Sequence, residues 1–284
     1  MSRLTRLRRL DVPTAVRPDV EAVRAEGPGA VVVRYQRRDR VTPSGALLWM
    51  HGGGLVAGIA EVDNGYCSQV AAELGVLVVG VDYRRAPEHP FPAALDDCEA
   101  AFRDLVADAA RLGVDPGRVA VGGASAGGGL AAALCQRLRD RGGPLPALQL
   151  LRYLMLDDRT GLRPRPRLRR HSWTPAWNRF AWAAYLGRPR YGGGAVPPYA
   201  AAARARDLAG LPPAWIGVGS RDLFHQECAD YAARLAAAGV AVELDVEPGM
   251  RHGADGDQGL PAMQRFRRRE LAALAAAVGT GAAG

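Results

Sequence analysis

Between residues 118 and 141 a strand, a glycine turn and a helix follow one another without a break, and no other stretch restricts the fold as tightly. Arg118-Val119-Ala120-Val121-Gly122 reads as a short apolar strand, Gly123-Ala124-Ser125-Ala126-Gly127 is a G-x-S-x-G, and Leu130 to Arg141 reads as a helix. A serine at the tip of such a turn is held in a cramped backbone conformation with its hydroxyl raised above the sheet. The flanking glycines leave room where a side chain would clash. The N–H of Ala126 points into the same space, at the positive end of the helix. In a glycine-rich chain the motif alone is weak evidence, because an ordinary turn can carry the same letters. The surrounding chain has to decide.

The rest of the sequence alternates strands and helices. Ala30–Tyr35, Ala46–Met50, Val76–Val81, Leu148–Leu154, Ala214–Gly219 and Val240–Val246 read as strands, and residues 64–73, 93–112, 224–238 and 261–277 as helices. Val76–Val81 is apolar throughout, as expected of a strand covered on both faces. The alternation predicts an α/β fold, a mostly parallel central sheet with helices on both faces. It breaks at residues 157–200, an Arg-, Pro- and Gly-rich stretch with Trp173, Trp177, Trp182 and Tyr185 close together. That stretch is too long and too aromatic for a plain loop and reads as a helical cap insertion. The expected organisation is a short N-terminal arm at 1–29, core at 30–156, cap at 157–200, core again at 201–277 and a tail at 278–284. In the arm, Leu4, Leu7 and Leu10 fall on one face of a short helix.

Composition excludes several classes. With 284 residues, 48% of them hydrophobic, the chain suits one large α/β domain with an insertion. No apolar run is long enough to span a bilayer, and no secretory signal pattern is visible, so a cytoplasmic protein is expected. The formal charge is +8 and the 37 basic residues are all arginine. A solvated basic surface explains that charge more simply than a nucleic-acid partner, and the run Arg163–Arg170 carries no aromatic interleaving. The four cysteines are widely separated without a C-x-x-C, so no metal is expected and they read as core residues.

A serine nucleophile needs a histidine base held by a carboxylate. Of the five histidines, His252 lies in the loop between the last predicted strand and the last helix, at a strand's carboxyl end, where such sheets carry their sites. Asp222 directly follows the strand Ala214–Gly219. The order Ser125, Asp222, His252 is the one expected of the α/β-hydrolase fold. A helix-capping aspartate or a surface histidine is the simpler reading of either residue alone. Gly52-Gly53-Gly54, after the strand Ala46–Met50, supplies side-chain-free N–H donors for an oxyanion.

With these motifs the chain resembles the hormone-sensitive-lipase-like (family IV) bacterial carboxylesterases. The matching segments are His51-Gly52-Gly53-Gly54, Val81-Asp82-Tyr83-Arg84, Ala86-Pro87-Glu88-His89-Pro90-Phe91-Pro92, Gly123–Gly128, Asp222-Leu223-Phe224 through Glu227, and His252-Gly253. The resemblance implies Gly53, Gly54 and Ala126 as oxyanion donors, with His51, Glu88 and His89 structural rather than chemical. His51, Gly52, Trp173, Trp177 and Ala254 are the expected substrate-binding residues. The sequence departs from the family pattern at Ala124, where aspartate is common, at Ala254, where phenylalanine is common, and at Arg85, where leucine is usual. The arm before His51 is also short, which implies a reduced N-terminal cap. The expected enzyme is a serine carboxylesterase for short- to medium-chain esters. It needs no cofactor, takes a small-molecule ester, binds no nucleic acid and is compatible with a homodimer. A deacetylase or amidase, or a ligand-binding member that lost the chemistry, stays open.

Overall fold

In a computed structural model of the chain, residues 3–8, 11–27, 29–162, 173–187, 192 and 194–279 are described. The run Arg163–Arg170 and the end of the tail lie outside them. Arg3–Arg8 forms α1, and the strands β1 (Val20–Glu26), β2 (Val31–Arg37) and β3 (Ser44–Met50) follow. After β3 come α2 (Asn64–Leu74), β4 (Leu77–Asp82), α3 (Ala93–Ala107), α4 (Ala109–Leu112), β5 (Val114–Ala124) and α5 (Ala126–Asp140). The second half holds β6 (Gln149–Arg152), α6 (Pro175–Leu186), β7 (Ala214–Gly219), α7 (His225–Ala237), β8 (Val242–Glu247) and α8 (Pro261–Val278).

The strands form one eight-stranded sheet in the order β1-β2-β4-β3-β5-β6-β7-β8. β1 and β2 run antiparallel to their neighbours, and β3 to β8 pair in parallel. Every residue of β3 is buried, as is every residue of β7, which fits strands with helices on both faces. Side-chain contacts sort the helices. Arg137 on α5 pairs with Asp96 and Glu99 on α3, and Gln136 on α5 donates to the Tyr231 hydroxyl on α7. Arg267 on α8 reaches Gln69 on α2, and Phe266 packs on Trp215 of β7. The core is thus two helical layers with the sheet between them. Cys67, Cys98, Cys135 and Cys228 are buried free thiols. No described helix is long and apolar enough to cross a membrane.

The strand order places the site. The chain leaves β3 through α2 to β4 on one side, whereas β5 leads through α5 to β6 on the other. Departures in opposite directions open a crevice above the carboxyl ends of β3 and β5. His51–Gly54 stands at the first end and Ser125 at the second.

Three elements differ from the sequence expectation. Val20–Glu26, inside the stretch read as an arm, is an edge strand paired with β2 in register Val23↔Arg34. Its side chains are mostly exposed, so it has no apolar alternation to reveal it. α5 begins at Ala126, not Leu130. Its early glycines permit close packing, since a Cβ on Gly127 would lie 2.0 Å from the Met50 carbonyl oxygen and one on Gly123 would lie 2.4 Å from the Gly127 backbone. The helix read across 93–112 is two, α3 and α4, which meet at Asp108.

Candidate active site

Ser125 occupies the turn between β5 and α5 with φ 55° and ψ −115°. That left-handed conformation is costly for a residue with a Cβ and persists only where its surroundings impose it. Here the Ser125 N–H donates to the Arg152 carbonyl at 2.9 Å, and its own carbonyl accepts from Gly129 at 3.1 Å and Met155 at 2.9 Å.

Asp222 follows β7, and its side chain is buried. The Phe224 N–H donates to Asp222 Oδ1 at 2.8 Å. His252 lies beyond β8, and its Nδ1 stands 2.9 Å from Asp222 Oδ2 while its Nε2 stands 3.0 Å from Ser125 Oγ. A carboxylate can only accept from Nδ1, so the proton of the neutral ring sits on Nδ1 and Nε2 presents its lone pair to the hydroxyl. The rings of Tyr153 and Phe224 meet the imidazole edge-on, with centroids 4.7 Å and 5.1 Å away. The two loops are also joined by backbone: Arg221 N–H donates to the Met250 carbonyl, and Gly249 N–H to Ser220 Oγ.

The loop carrying His252 is anchored from beneath. Asp255 accepts from Arg152 Nη1 at 2.8 Å, from Arg267 Nη2 at 3.1 Å and from the Tyr153 hydroxyl at 2.7 Å. Arg152 also grips Glu270 with both arms at 2.9 Å. Two guanidiniums meet two carboxylates in a buried, charge-balanced cluster, and the pair of cations holds the Asp255 carboxyl below its ordinary range against the cost of burial.

Three peptide planes near Ser125 are fixed by their carbonyls. His51 Nδ1–H donates to the Gly52 carbonyl at 2.6 Å. The Gly53 carbonyl accepts from Val56 at 3.2 Å and Ala57 at 3.0 Å. The Ser125 carbonyl is held as described above. In a trans peptide the N–H points opposite to the C=O. The N–H groups of Gly53, Gly54 and Ala126 are therefore turned away from those bonds, and none donates to a backbone carbonyl among the described residues. Gly53 sits at φ 117°, where a side chain is strained, and its Cβ would lie 2.0 Å from the Ala57 carbonyl oxygen.

A cavity of about 390 Å³ opens onto Ser125 and His252. Of the residues expected to bind substrate, Gly52, Trp173 and Trp177 line it, together with Gly53. His51 does not. It is buried behind the glycine loop, stacked on Tyr83 at 4.2 Å, and burial pushes its imidazole down to about 4. It orients the Gly52–Gly53 peptide and stays out of the cavity. Ala254 does not line the cavity either; it begins a short 3-10 turn against the core, and Gly253 takes the wall position. The structure adds lining residues that no motif marks: Asp11, Val62, Asp63 and Tyr153. Asp11 comes from the arm and is tied in by Arg85, at 3.1 Å, and by the Gly58 N–H, at 2.6 Å. Arg85, which departs from the family pattern, thus fastens the arm to the loop behind the glycines. Glu88 lies outside, paired with Arg8 at 2.6 Å. Glu227 accepts from Leu156 and Asp157 N–H groups beneath the site, and burial pushes its carboxyl up to about 8.

The comparisons agree with this architecture. A family model described as alpha/beta hydrolase fold matches residues 47–255. Esterase LipI of Mycobacterium tuberculosis is 40% identical over 235 residues, covering 80% of this chain and 71% of that protein. Carboxylesterase NlhH of the same organism is 39% identical over 235 residues, covering 80% of this chain and 72% of its own length. Among solved structures, a bacterial heroin esterase superposes with a TM-score of 0.88 at 36% identity, over 93% of this chain and 86% of that one.

Proposed function

The chain belongs to the hormone-sensitive-lipase-like group of the α/β-hydrolase family and is a carboxylic ester hydrolase, and we propose that it cleaves short- to medium-chain esters through Ser125, His252 and Asp222. The observation that carries this reading is the unbroken path from Ser125 Oγ to His252 Nε2 at 3.0 Å and from Nδ1 to Asp222 at 2.9 Å, at the edge of a cavity.

In the proposed mechanism Ser125 Oγ attacks the ester carbonyl carbon while His252 Nε2 takes its proton. The imidazolium so formed is stabilised by Asp222, which also keeps the ring in the productive tautomer. The carbonyl oxygen, now negative, receives hydrogen bonds from the N–H groups of Gly53, Gly54 and Ala126, whose directions are set before substrate arrives. His252 then gives the proton to the departing alcohol oxygen, leaving an acyl group on Ser125. Water repeats the sequence: His252 removes its proton, the oxygen adds to the acyl carbon, and Ser125 leaves with the proton returned. The cavity walls, which include Gly52, Gly53, Ala57, Trp173 and Trp177, suit a compact apolar acyl or alcohol group.

The test is covalent labelling with an organophosphonate and peptide mapping. Modification confined to the peptide containing Ser125, and lost in Ser125→Ala, is expected. Labelling that survives in Ser125→Ala would place the nucleophile elsewhere.

A further inference from the structure

The cavity has an unusual charge balance. The protein carries 37 arginines and a net charge of +8, yet among the described residues that line the cavity there is no arginine, and there are two carboxylates, Asp11 and Asp63. The charge of Asp11 is matched by Arg85 at 3.1 Å. Asp63 differs. Its Oδ2 accepts from the Trp49 indole N–H at 2.7 Å, and it forms no ion pair among the described residues. The guanidiniums whose field reaches it, Arg152 and Arg267, are already matched by Asp255 and Glu270. Burial pushes the Asp63 carboxyl upward against the field of those two guanidiniums. The same cavity is lined by Tyr153, Trp173 and Trp177. A carboxylate and aromatic residues lining one cavity are the chemistry that receives an organic cation, by charge and by ring quadrupole.

We propose that Asp63 is a specificity-determining residue, and that the cavity prefers esters whose acyl or alcohol part carries a protonated amine seated on Asp63. This rests on the ester-hydrolase reading of the same site. The ammonium supplies the counter-charge that no described residue gives in an ion pair, and its alkyl groups pack against the aromatic walls. A neutral group of the same shape gains the packing but leaves Asp63 uncompensated. The preference is therefore electrostatic and separable from size.

Two acetate esters of matched shape test it: 2-(dimethylamino)ethyl acetate, protonated at neutral pH, and 3-methylbutyl acetate, its neutral counterpart. The readout is the ratio of their kcat/KM values in the wild type and in Asp63→Asn, which keeps an oxygen for the Trp49 indole. Comparing ratios cancels the intrinsic reactivity of each ester. The ratio is expected to fall by about tenfold or more in Asp63→Asn, the size of a charge-assisted hydrogen bond. An unchanged ratio would overturn the proposal. If Asp63→Asn does not fold, binding of 2-(dimethylamino)ethanol and of 3-methylbutanol to the Ser125→Ala protein decides by calorimetry. Tighter binding of the amine supports the proposal, and equal or weaker binding overturns it. Failure of the esterase reading looks different: neither ester turns over in the wild type, while the calorimetric comparison still answers the charge question.

Discussion

His252 Nε2 lies 3.0 Å from Ser125 Oγ across 127 positions of sequence. β5 and β8 are separated in the sheet by β6 and β7, so the loop after β8 must reach back over two strands. Asp255, three residues beyond His252, is gripped by Arg152 at the end of β6, the strand next to β5. The same Arg152 accepts the Ser125 N–H through its carbonyl. Ser125 and His252 are thus both referred to one residue, Arg152.

If Ser125, His252 and Asp222 work as a unit, Ser125→Ala and His252→Ala each remove nearly all turnover, and the double variant loses little more. Multiplicative losses in the double variant would argue for independent roles. Asp222→Asn can donate to Nδ1 and favours the wrong tautomer, so kcat should drop by roughly 10⁴ with the fold intact by circular dichroism.

Removing one member of the buried cluster breaks its charge balance. Asp255→Ala leaves Arg152 and Arg267 to share the single carboxylate of Glu270, one buried positive charge in excess, and should lower the free energy of unfolding by about 3–5 kcal/mol. Urea denaturation measures this directly. A loss below about 1 kcal/mol, the ordinary value of an exposed pair, would mean the cluster is better solvated than its burial indicates.

His51 gives a pH signature of stability. Its folded-state value is pushed by burial to about 4, below the ordinary 6.5. A depressed value means the unfolded chain takes the proton first. The contribution is fully present above about 6.5 and is lost as pH falls through about 4. Thermal midpoints of the wild type should therefore decline across that window, and His51→Asn, which has no such proton to take, should show a shallower decline. Parallel curves for the two proteins would remove His51 from the account of acid sensitivity.

Acyl length is the simplest probe of the cavity. Each methylene is worth about 0.8 kcal/mol only while it can be buried. In a series from about two to sixteen acyl carbons, kcat/KM should rise, peak at roughly four to eight, and then fall as ordering costs continue without burial. A steady climb to the longest chains, or a jump when an oil–water interface is supplied, would require a buried acyl tunnel or a mobile lid.

Local chemistry made much of the protein legible in the sequence. The strand Ala214–Gly219 was bounded by its apolar run, and α8 by Pro261 at its start. The glycine turn around Ser125 and the glycines after His51 announced themselves because their backbone geometry tolerates almost no other residue. Asp222 and His252 could be picked out because each follows a strand at the sheet's carboxyl edge. The cavity wall was a different matter. Asp11, Asp63 and Tyr153 meet there from three distant segments, with no motif or periodicity to mark them, because their proximity depends on how loops fold over the sheet. His51 and Ala254 were expected in that wall and lie behind it for the same reason: sequence neighbours of a functional residue share its loop, but not the direction in which their side chains point. β1 was hidden because an exposed edge strand has no buried face to impose alternation. Sequence pattern carried what the backbone and the core require. Which side chains line the cavity, and which of its carboxylates has no ion-pair partner among the described residues, followed only from the non-local packing that brought the segments together.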